Sequence, residues 1–249
     1  TVRVAAGDRI GLVGRNGAGK TTLTRCLAGE TQPAAGSVSI TGTVGYLPQD
    51  PRSGDPEELA RDRILAARGL PEVLRRMQDS TAAMDVADEA LRERALARYV
   101  RAEAEFERLG GYAVESEAAT IAASVGLPDR VLGQPLGTLS GGQRRRVELA
   151  RILFSGADVL LLDEPTNHLD ADSIRWLRRF LAAYKGGFIV ISHDVDLLKE
   201  TVNRVWHLDA TRRELDVYTM GWSAYVTARE ADERRRKRER RNAEQQAAA

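Results

Sequence analysis

A glycine-rich segment near the amino end constrains the fold of this chain more than any other feature. Residues 14–21 read Gly-Arg-Asn-Gly-Ala-Gly-Lys-Thr, with an apolar run before them and a helical pattern after them. The glycines let the backbone curl with its N–H groups pointing inward, where larger side chains would collide. This order of strand, loop and helix predicts an α/β domain that binds the phosphates of a nucleotide.

The residues predicted to hold the phosphates form one continuous stretch. They are Gly14, Arg15, Asn16, Gly17, Ala18, Gly19, Lys20, Thr21 and Thr22. Lys20 is expected to place its charge on the β- and γ-phosphate oxygens, and the Thr21 hydroxyl to ligate Mg²⁺. A bare turn without a ligand is the alternative. The complete match to the motif, with a strand before it and a helix after it, argues against that alternative.

A second group of polar residues lies between residues 139 and 170. An apolar run, residues 159–162, ends in Asp163 and Glu164, which places one carboxylate to hold magnesium and the next to face an attacking water. Upstream, a turn opens a basic helix whose free N–H groups favour an anion. That turn consists of Ser140, Gly141, Gly142 and Gln143. Two phosphate-binding turns and an acidic strand end together predict nucleotide hydrolysis.

These motifs resemble the ATP-binding-cassette (ABC) superfamily. Its pattern is a phosphate loop, a glutamine loop, an LSGGQ signature, an acidic strand and a switch histidine, and all five occur here in order. The glutamine loop ends at Gln49, and the switch is His193. Transporter cassettes usually read Ser-Ala-Leu-Asp after Asp-Glu-Pro-Thr, whereas residues 167–170 read Asn-His-Leu-Asp. This variant, and residues 145–151 after the signature, are similar to the ABC-F family of soluble ATPases that act on ribosomes.

The resemblance implies a role for each polar residue. Asp163, Gln49 and Thr21 would surround the Mg²⁺ ion. Glu164 would polarise the attacking water, which His193 would orient beside the γ-phosphate, and Gln49 would reach the same water. Asp170 falls in the D-loop of the cassette pattern. The other two histidines, at positions 168 and 207, are expected to be structural because neither has metal-ligand spacing.

The resemblance also implies that the site is composite. Residues 140–143 would cap the nucleotide held by a partner cassette, so that two ATP molecules lie between two domains. The expected partner is a second ABC domain of the same parent chain, and a homodimer is the alternative. Alone, the chain should bind ATP weakly and hydrolyse it poorly. The aromatic ring that normally stacks on adenine would precede Thr1, so weak discrimination between ATP and GTP is expected.

The predicted fold is an α/β P-loop ABC cassette with a RecA-like mixed sheet. Short strands are expected at residues 10–13, 38–40, 44–47, 159–162, 188–191, 205–208 and 215–218, with residues 2–4 as the tail of another strand. Residues 1–226 would form the nucleotide-binding domain, including a helical subdomain at about residues 57–140. Residues 227–249 would begin a linker helix that is truncated here, because both ends of the chain look cut.

Within the helical subdomain, two apolar patterns at three- and four-residue steps predict a helical hairpin. One begins at Pro71, the other runs from Leu91 to Leu109, and residues 84–88 are the weakest point between them. The resemblance implies that this hairpin is the arm with which ABC-F proteins touch the ribosome. An elongated helical subdomain without a partner is the alternative.

Composition and charge limit the remaining classes of function. The formal net charge is +1, and the basic residues at positions 234–241 form the one local footprint suited to RNA phosphates, with a solvated helix face as the alternative. No apolar run approaches the roughly 20 residues of a membrane span. A single cysteine excludes a disulfide framework and fits a cytoplasmic protein.

Three functions share this catalytic set. The favoured one is an ABC-F ATPase that contacts ribosomal RNA and tRNA, either to regulate elongation or to protect ribosomes from antibiotics such as macrolides. The second is the ATP-binding subunit of a drug or macrolide transporter. Against it stand the Asn-His pair at residues 167–168, the enlarged helical segment and the basic terminal helix. A DNA-repair cassette would require a much longer coiled-coil insertion.

Overall fold

The fold was obtained as a computed structural model. It describes residues 1–49, 54–212 and 214–247, and within the last helix the side chains up to residue 235 except residue 233. The strands are β1 Arg9–Gly14, β2 Val44–Leu47, β3 Val159–Asp163, β4 Gly187–Ile191, β5 Arg204–Asp209 and β6 Glu214–Tyr218. The helices are α1 Lys20–Leu27, α2 Ala60–Leu65, α3 Leu70–Ala82, α4 Glu89–Arg108, α5 Gly111–Ser124, α6 Asp129–Leu132, α7 Gly141–Phe154, α8 Ala171–Ala183, α9 Val195–Thr201 and α10 Trp222–Ala247.

One mixed sheet organises the molecule. Its six strands follow the order β2-β3-β4-β1-β5-β6. All neighbours among the first five are parallel, and β6 pairs with β5 in the antiparallel direction. This arrangement confirms the predicted α/β cassette with a mixed sheet. It also places the carboxyl ends of β1, β2, β3 and β4 at the same edge, which is where open α/β sheets bind ligands.

Alternate side chains of each strand point to opposite faces of the sheet. Both faces are buried, because each is covered by an apolar cluster. One face packs against Leu23 and Leu27 of α1. The buried residues of that face are Ile10, Leu12, Leu161, Ile189, Ile191 and Trp206. The opposite face includes Leu160, Leu162, Phe188 and Val190, and its apolar cluster continues into the helical subdomain. The continuous apolar runs seen in the sequence are therefore strands buried on both sides.

The helical subdomain contains the predicted hairpin. Helices α3 and α4 pack against each other, and the chain leaves helical conformation between them at residues 83–88. Asp88 caps α4, because its carboxylate accepts a hydrogen bond of 3.1 Å from the backbone N–H of Leu91. Near the other end of α4, Phe106 is buried and meets the ring of Tyr112 edge-on at 5.1 Å.

Two strand predictions are wrong. Residues 2–4 and 38–40 do not form strands. Val38 and Ile40 are 38% and 46% exposed, and no strand among the described residues lies beside them to accept their backbone hydrogen bonds. A β-branched alternation predicts a strand only where a partner strand is present.

The terminal helix is joined to the sheet by a cluster of rings. Tyr225 is buried, and its ring lies 5.0 Å from that of Tyr218 and 5.4 Å from that of Trp222. Helix α10 is continuous through residues 226 and 227, so a linker beginning at residue 227 would be an extension of a helix rooted in the cassette. Among the described helices, none combines the length and the apolar character that crossing a bilayer requires.

Candidate nucleotide site

The glycine-rich loop leaves the end of β1 in a conformation that requires glycine. Gly14 has φ of 157°, and a Cβ atom there would lie 2.6 Å from the Leu208 carbonyl oxygen of the neighbouring strand. Gly19 has φ of 98° and precedes α1 without a side-chain cap. The first N–H groups of α1 are therefore left to bind an anion.

Lys20 lies across the mouth of this loop. Its Nζ donates hydrogen bonds of 2.9 Å to the Gly14 carbonyl and 3.1 Å to the Arg15 carbonyl. These two hydrogen bonds hold the ammonium group at the loop. Its position suits a group that transfers its hydrogen bonds to phosphate oxygens.

Thr21 and Asp163 meet beside the loop. The Thr21 hydroxyl donates a hydrogen bond of 2.8 Å to Asp163 Oδ2, and Asp163 is only 2% exposed. A hydroxyl and a carboxylate oxygen at this separation fit a hard cation such as Mg²⁺, which takes oxygen ligands and retains several waters. Among the described residues, at this site or away from it, no group of three or more His, Cys, Asp and Glu side chains is arranged to hold a metal.

Glu164 follows in an unusual backbone conformation. Its φ is 50°, the residue is 8% exposed, and its N–H donates 2.8 Å to the Ile191 carbonyl at the end of β4. Burial raises the pKa of the Glu164 carboxyl, and the neighbouring His193 opposes part of that rise. A buried carboxylate with a raised pKa is a stronger proton acceptor than an exposed one.

His193 joins this carboxylate from the next strand. Its Nε2 lies 3.4 Å from Glu164 Oε1, and its backbone N–H donates 3.4 Å to Glu164 Oε2. The imidazole itself is 80% exposed. The ring therefore faces the open side of the sheet edge, where a nucleotide would lie.

The residue after this histidine is firmly held. Asp194 accepts hydrogen bonds of 2.9 and 3.1 Å from Arg178 of α8 and caps α9 through the Leu197 N–H at 2.9 Å. No sequence motif pointed to Arg178. Asp170 begins the same helix, α8, and accepts 2.8 Å from the Ser173 N–H. This hydrogen bond lowers the pKa of the Asp170 carboxyl. One helix thus connects the D-loop to the switch histidine.

The signature forms the amino end of α7. Ser140 and Gln143 make a capping box, in which the Gln143 N–H donates 3.3 Å to Ser140 Oγ and the Ser140 N–H donates 2.9 Å to Gln143 Oε1. These side-chain bonds join the two residues to each other and not to the phosphate loop. Gly141 and Gly142 lie between them as the first residues of the helix.

Gln49 reaches the site by its backbone. It follows β2, its side chain is exposed, and its carbonyl accepts a short hydrogen bond from Arg145. This role of Arg145 was not predicted from the sequence. A signal was present, since Arg145, Leu149 and Ile152 lie at helical spacing on the buried face of α7, where an arginine requires partners.

The fold and these motifs define a class of protein. The chain matches the family model described as ABC transporter over residues 1–167, and it belongs to that family of ATP-binding cassettes. It is therefore an ATPase domain that binds ATP.

Particular relatives refine this assignment. Over 247 residues the chain is 37% identical to the tylosin resistance ATP-binding protein TlrC of Streptomyces fradiae, covering 96% of this chain and 44% of TlrC. Over 232 residues it is 35% identical to the energy-dependent translational throttle protein EttA of Haemophilus influenzae, covering 90% of this chain and 40% of EttA. Both are ABC-F proteins, as the sequence motifs predicted. The chain spans less than half the length of these relatives.

A solved structure agrees with the fold. A dimeric ATP-binding cassette in a post-hydrolysis state with ADP and Pi aligns with a TM-score of 0.57 and 19% identity, covering 89% of each chain. At this identity the comparison supports the cassette fold alone.

Proposed function

We propose that this chain is a Mg²⁺-dependent, ATP-hydrolysing cassette of an ABC-F protein that acts on the ribosome. The observation that carries the hydrolytic part is the cluster at one sheet edge. There Thr21 contacts Asp163 at 2.8 Å, and Glu164 contacts His193 at 3.4 Å. The relatives that cover nearly the whole chain support the ribosomal part, since one is named for tylosin resistance and another for translational throttling.

In this proposal the backbone N–H groups of residues 14–22 and Lys20 hold the ATP phosphates. Thr21, Asp163 and Gln49 would hold Mg²⁺, which would neutralise charge on the β- and γ-phosphate oxygens. Glu164 accepts a proton from the attacking water, and His193 orients that water beside the γ-phosphate. Phosphoryl transfer depends mainly on positioning and on stabilising charge, so one modest base suffices.

The capping box suggests how a partner would complete the site. Ser140 and Gln143 satisfy each other's backbone groups, which leaves the Gly141 and Gly142 N–H groups at a helix amino end. We propose that these groups bind the γ-phosphate of a nucleotide held by a second cassette. Each cassette then depends on the other for full activity.

Two surfaces are proposed for ribosomal contact. The α3–α4 hairpin carries exposed apolar residues, with Leu96 and Val100 at 51% and 52% exposure. Helix α10 extends from the sheet with many arginines in its sequence. Arginines attract RNA phosphates, which favours α10 as a contact with ribosomal RNA. In this proposal the hairpin is the arm, and α10 is the first part of the linker. A protein that acts on ribosomes in this way would work in the cytoplasm.

Ribosome pelleting tests the proposal. Full-length protein with Glu164→Gln, and the matching change in any second cassette, should retain ATP and co-sediment with ribosomes several-fold more than wild type. Adding Lys20→Ala to the same protein provides the control, because it removes the phosphate contact and should abolish the enrichment. Equal recovery of all three proteins, with or without ATP, would contradict a ribosomal role and favour a transporter subunit.

A further inference from the structure

The side chain of Arg145 connects two segments of the site by hydrogen bonds to their backbone carbonyls. The residue is 5% exposed on α7. Its Nη2 donates 2.7 Å to the Asp163 carbonyl and 2.9 Å to the Glu164 carbonyl. Its Nη1 donates 3.0 Å to the Pro48 carbonyl and a further short bond to the Gln49 carbonyl. One guanidinium group therefore binds the ends of both β2 and β3.

These carbonyls lie where β2 and β3 no longer pair with each other, although β3 still pairs with β4 through Asp163. Strands β2 and β3 pair in parallel, and their register ends with Leu47 opposite Leu162. The residues that follow, including Gln49 and Glu164, have left this ladder. Buried carbonyl groups require donors, and hydrogen bonds from a charged donor are stronger than neutral ones. The guanidinium group therefore supplies hydrogen bonds to backbone carbonyls just beyond the β2–β3 ladder, where the proposed catalytic residues begin.

The shape of the side chain matters as well as its charge. Guanidinium is planar and presents its donors in a fixed fork, whereas the lysine ammonium is a single point with rotatable donors. Only the fork can serve two carbonyls on each of two segments at once. Lysine at this position would keep the charge and lose part of the bridge.

The same helix carries the signature. Ser140 caps α7, and Arg145 lies five residues further on, about 7.5 Å along the axis at 1.5 Å per residue. A movement of the amino end of α7 would therefore be transmitted to the Gln49 and Glu164 backbones through one side chain.

We propose that Arg145 is a positioning residue that holds Gln49 and Glu164 in register and couples their placement to the signature helix. This inference rests on the proposed function, because it gives meaning to positions that act on the nucleotide. The hydrogen bonds of Arg145 described above go to backbone carbonyls of residues 48, 49, 163 and 164, which lie outside the glycine-rich loop. Loss of Arg145 should impair turnover and leave nucleotide binding by the phosphate loop nearly intact.

The test compares Arg145→Lys with wild type and with Arg151→Lys in the full-length protein. Arg151 lies on the same helix, is 25% exposed and pairs with Glu148 at 2.9 Å, so it reports what an arginine-to-lysine change in α7 does by itself. Five quantities are measured: kcat for ATP, the Mg²⁺ concentration at half-maximal turnover, the Kd of a fluorescent ATP analogue, the melting temperature, and hydrogen–deuterium exchange of the non-proline amides at residues 45–49 and 163–167.

Arg145→Lys should lower kcat about 10- to 100-fold, as expected for a small misplacement of reacting groups. The Kd should change less than about twofold, half-maximal turnover should require more Mg²⁺, and exchange should accelerate in both segments. Arg151→Lys should resemble wild type in every measurement.

Wild-type exchange and wild-type kcat in Arg145→Lys would overturn the inference. So would a parallel loss of nucleotide binding and thermal stability, which would indicate a structural role only. A wild-type protein without ATPase activity would instead contradict the proposed function. The exchange measurement would still decide whether Arg145 positions the two segments.

Discussion

Glu164 combines features that a purely structural residue would avoid. It is a buried carboxyl group, its backbone lies in the left-handed region, and its pKa is raised by desolvation. A left-handed conformation costs a non-glycine residue roughly 1–2 kcal/mol. Such features cluster at functional sites, because the surrounding fold maintains them for a purpose other than stability.

Replacing Glu164 with Gln should remove activity and increase stability in a pH-dependent manner. The folded protein holds the Glu164 proton more tightly than the unfolded chain, so wild-type stability falls as pH rises through the raised pKa. The melting temperature of Glu164→Gln should therefore match wild type near pH 4 and exceed it at pH 8. Turnover should fall about 10²- to 10⁴-fold.

Thermal melts between pH 4 and pH 8 measure this gap. Glu107→Gln, at an exposed position on α4, is the control for the effect of a glutamate-to-glutamine change in itself. A difference in melting temperature that stays constant over the whole range would contradict the desolvation argument.

Replacing Lys20 with Ala should weaken ATP binding without unfolding the chain. Lys20 bonds only two loop carbonyls in the described contacts, so little folding energy is lost. A hydrogen bond to a charged group contributes about 1.5–3 kcal/mol, which corresponds to a loss of affinity of about 10- to 100-fold. Titration with a fluorescent ATP analogue measures it, with exposed Lys185→Ala as control. Unchanged affinity would mean that the phosphate site lies elsewhere.

At the scale of elements, prediction succeeded where a segment carries its own signal. Residues 159–162 and 188–191 are continuous apolar runs, and both are central strands. The break between α3 and α4 was visible because the apolar spacing lapses there. Residues 38–40 also contain two β-branched apolar residues and form no strand. Pairing depends on a partner strand, and a local pattern does not report one.

The same distinction divides the candidate site. Lys20, Asp163, Glu164 and His193 belong to local motifs, and the structure brings them to one edge of the sheet. Arg145 bonds backbone carbonyls, which every residue possesses. The spacing of α7 indicates that Arg145 is buried and needs partners, but a sequence does not mark carbonyls as acceptors, so only the structure identifies those partners.

The capping box of α7 allows the helix-forming role of Ser140 to be separated from its proposed phosphate contact. Alanine removes the cap, which should lower the free energy of unfolding by about 1 kcal/mol. Asparagine caps as well as serine. Ser140→Ala should thus lose both stability and activity. Ser140→Asn should retain stability and still lose activity, because the larger amide blocks close approach of a phosphate.

Urea unfolding measures the stability of these Ser140 variants, and ATP turnover measures their activity. Full activity in Ser140→Asn would argue against a phosphate contact at this position.

At the scale of the whole molecule, the site elements divide into two groups. The phosphate loop, Asp163, Glu164 and His193 converge at one sheet edge, whereas the side-chain bonds of the signature remain within its own capping box. Helix α8 begins at Asp170 and reaches the switch segment through Arg178. A partner that contacted the signature and the proposed D-loop would therefore be connected to the proposed hydrolytic residues through α7 and α8.

This division predicts association that depends on ATP. The chain with Glu164→Gln should bind ATP without hydrolysing it, so that the nucleotide remains to join two cassettes. Sedimentation should then show the mass doubling when ATP and Mg²⁺ are added. ADP should not produce the dimer, because the γ-phosphate is the group that both cassettes would contact. The Lys20→Ala, Glu164→Gln double variant should stay monomeric, since it lacks the first of the two phosphate contacts. A wild-type chain that remained monomeric with ATP and nevertheless hydrolysed it at the rate of the full-length protein would show that each cassette is complete by itself.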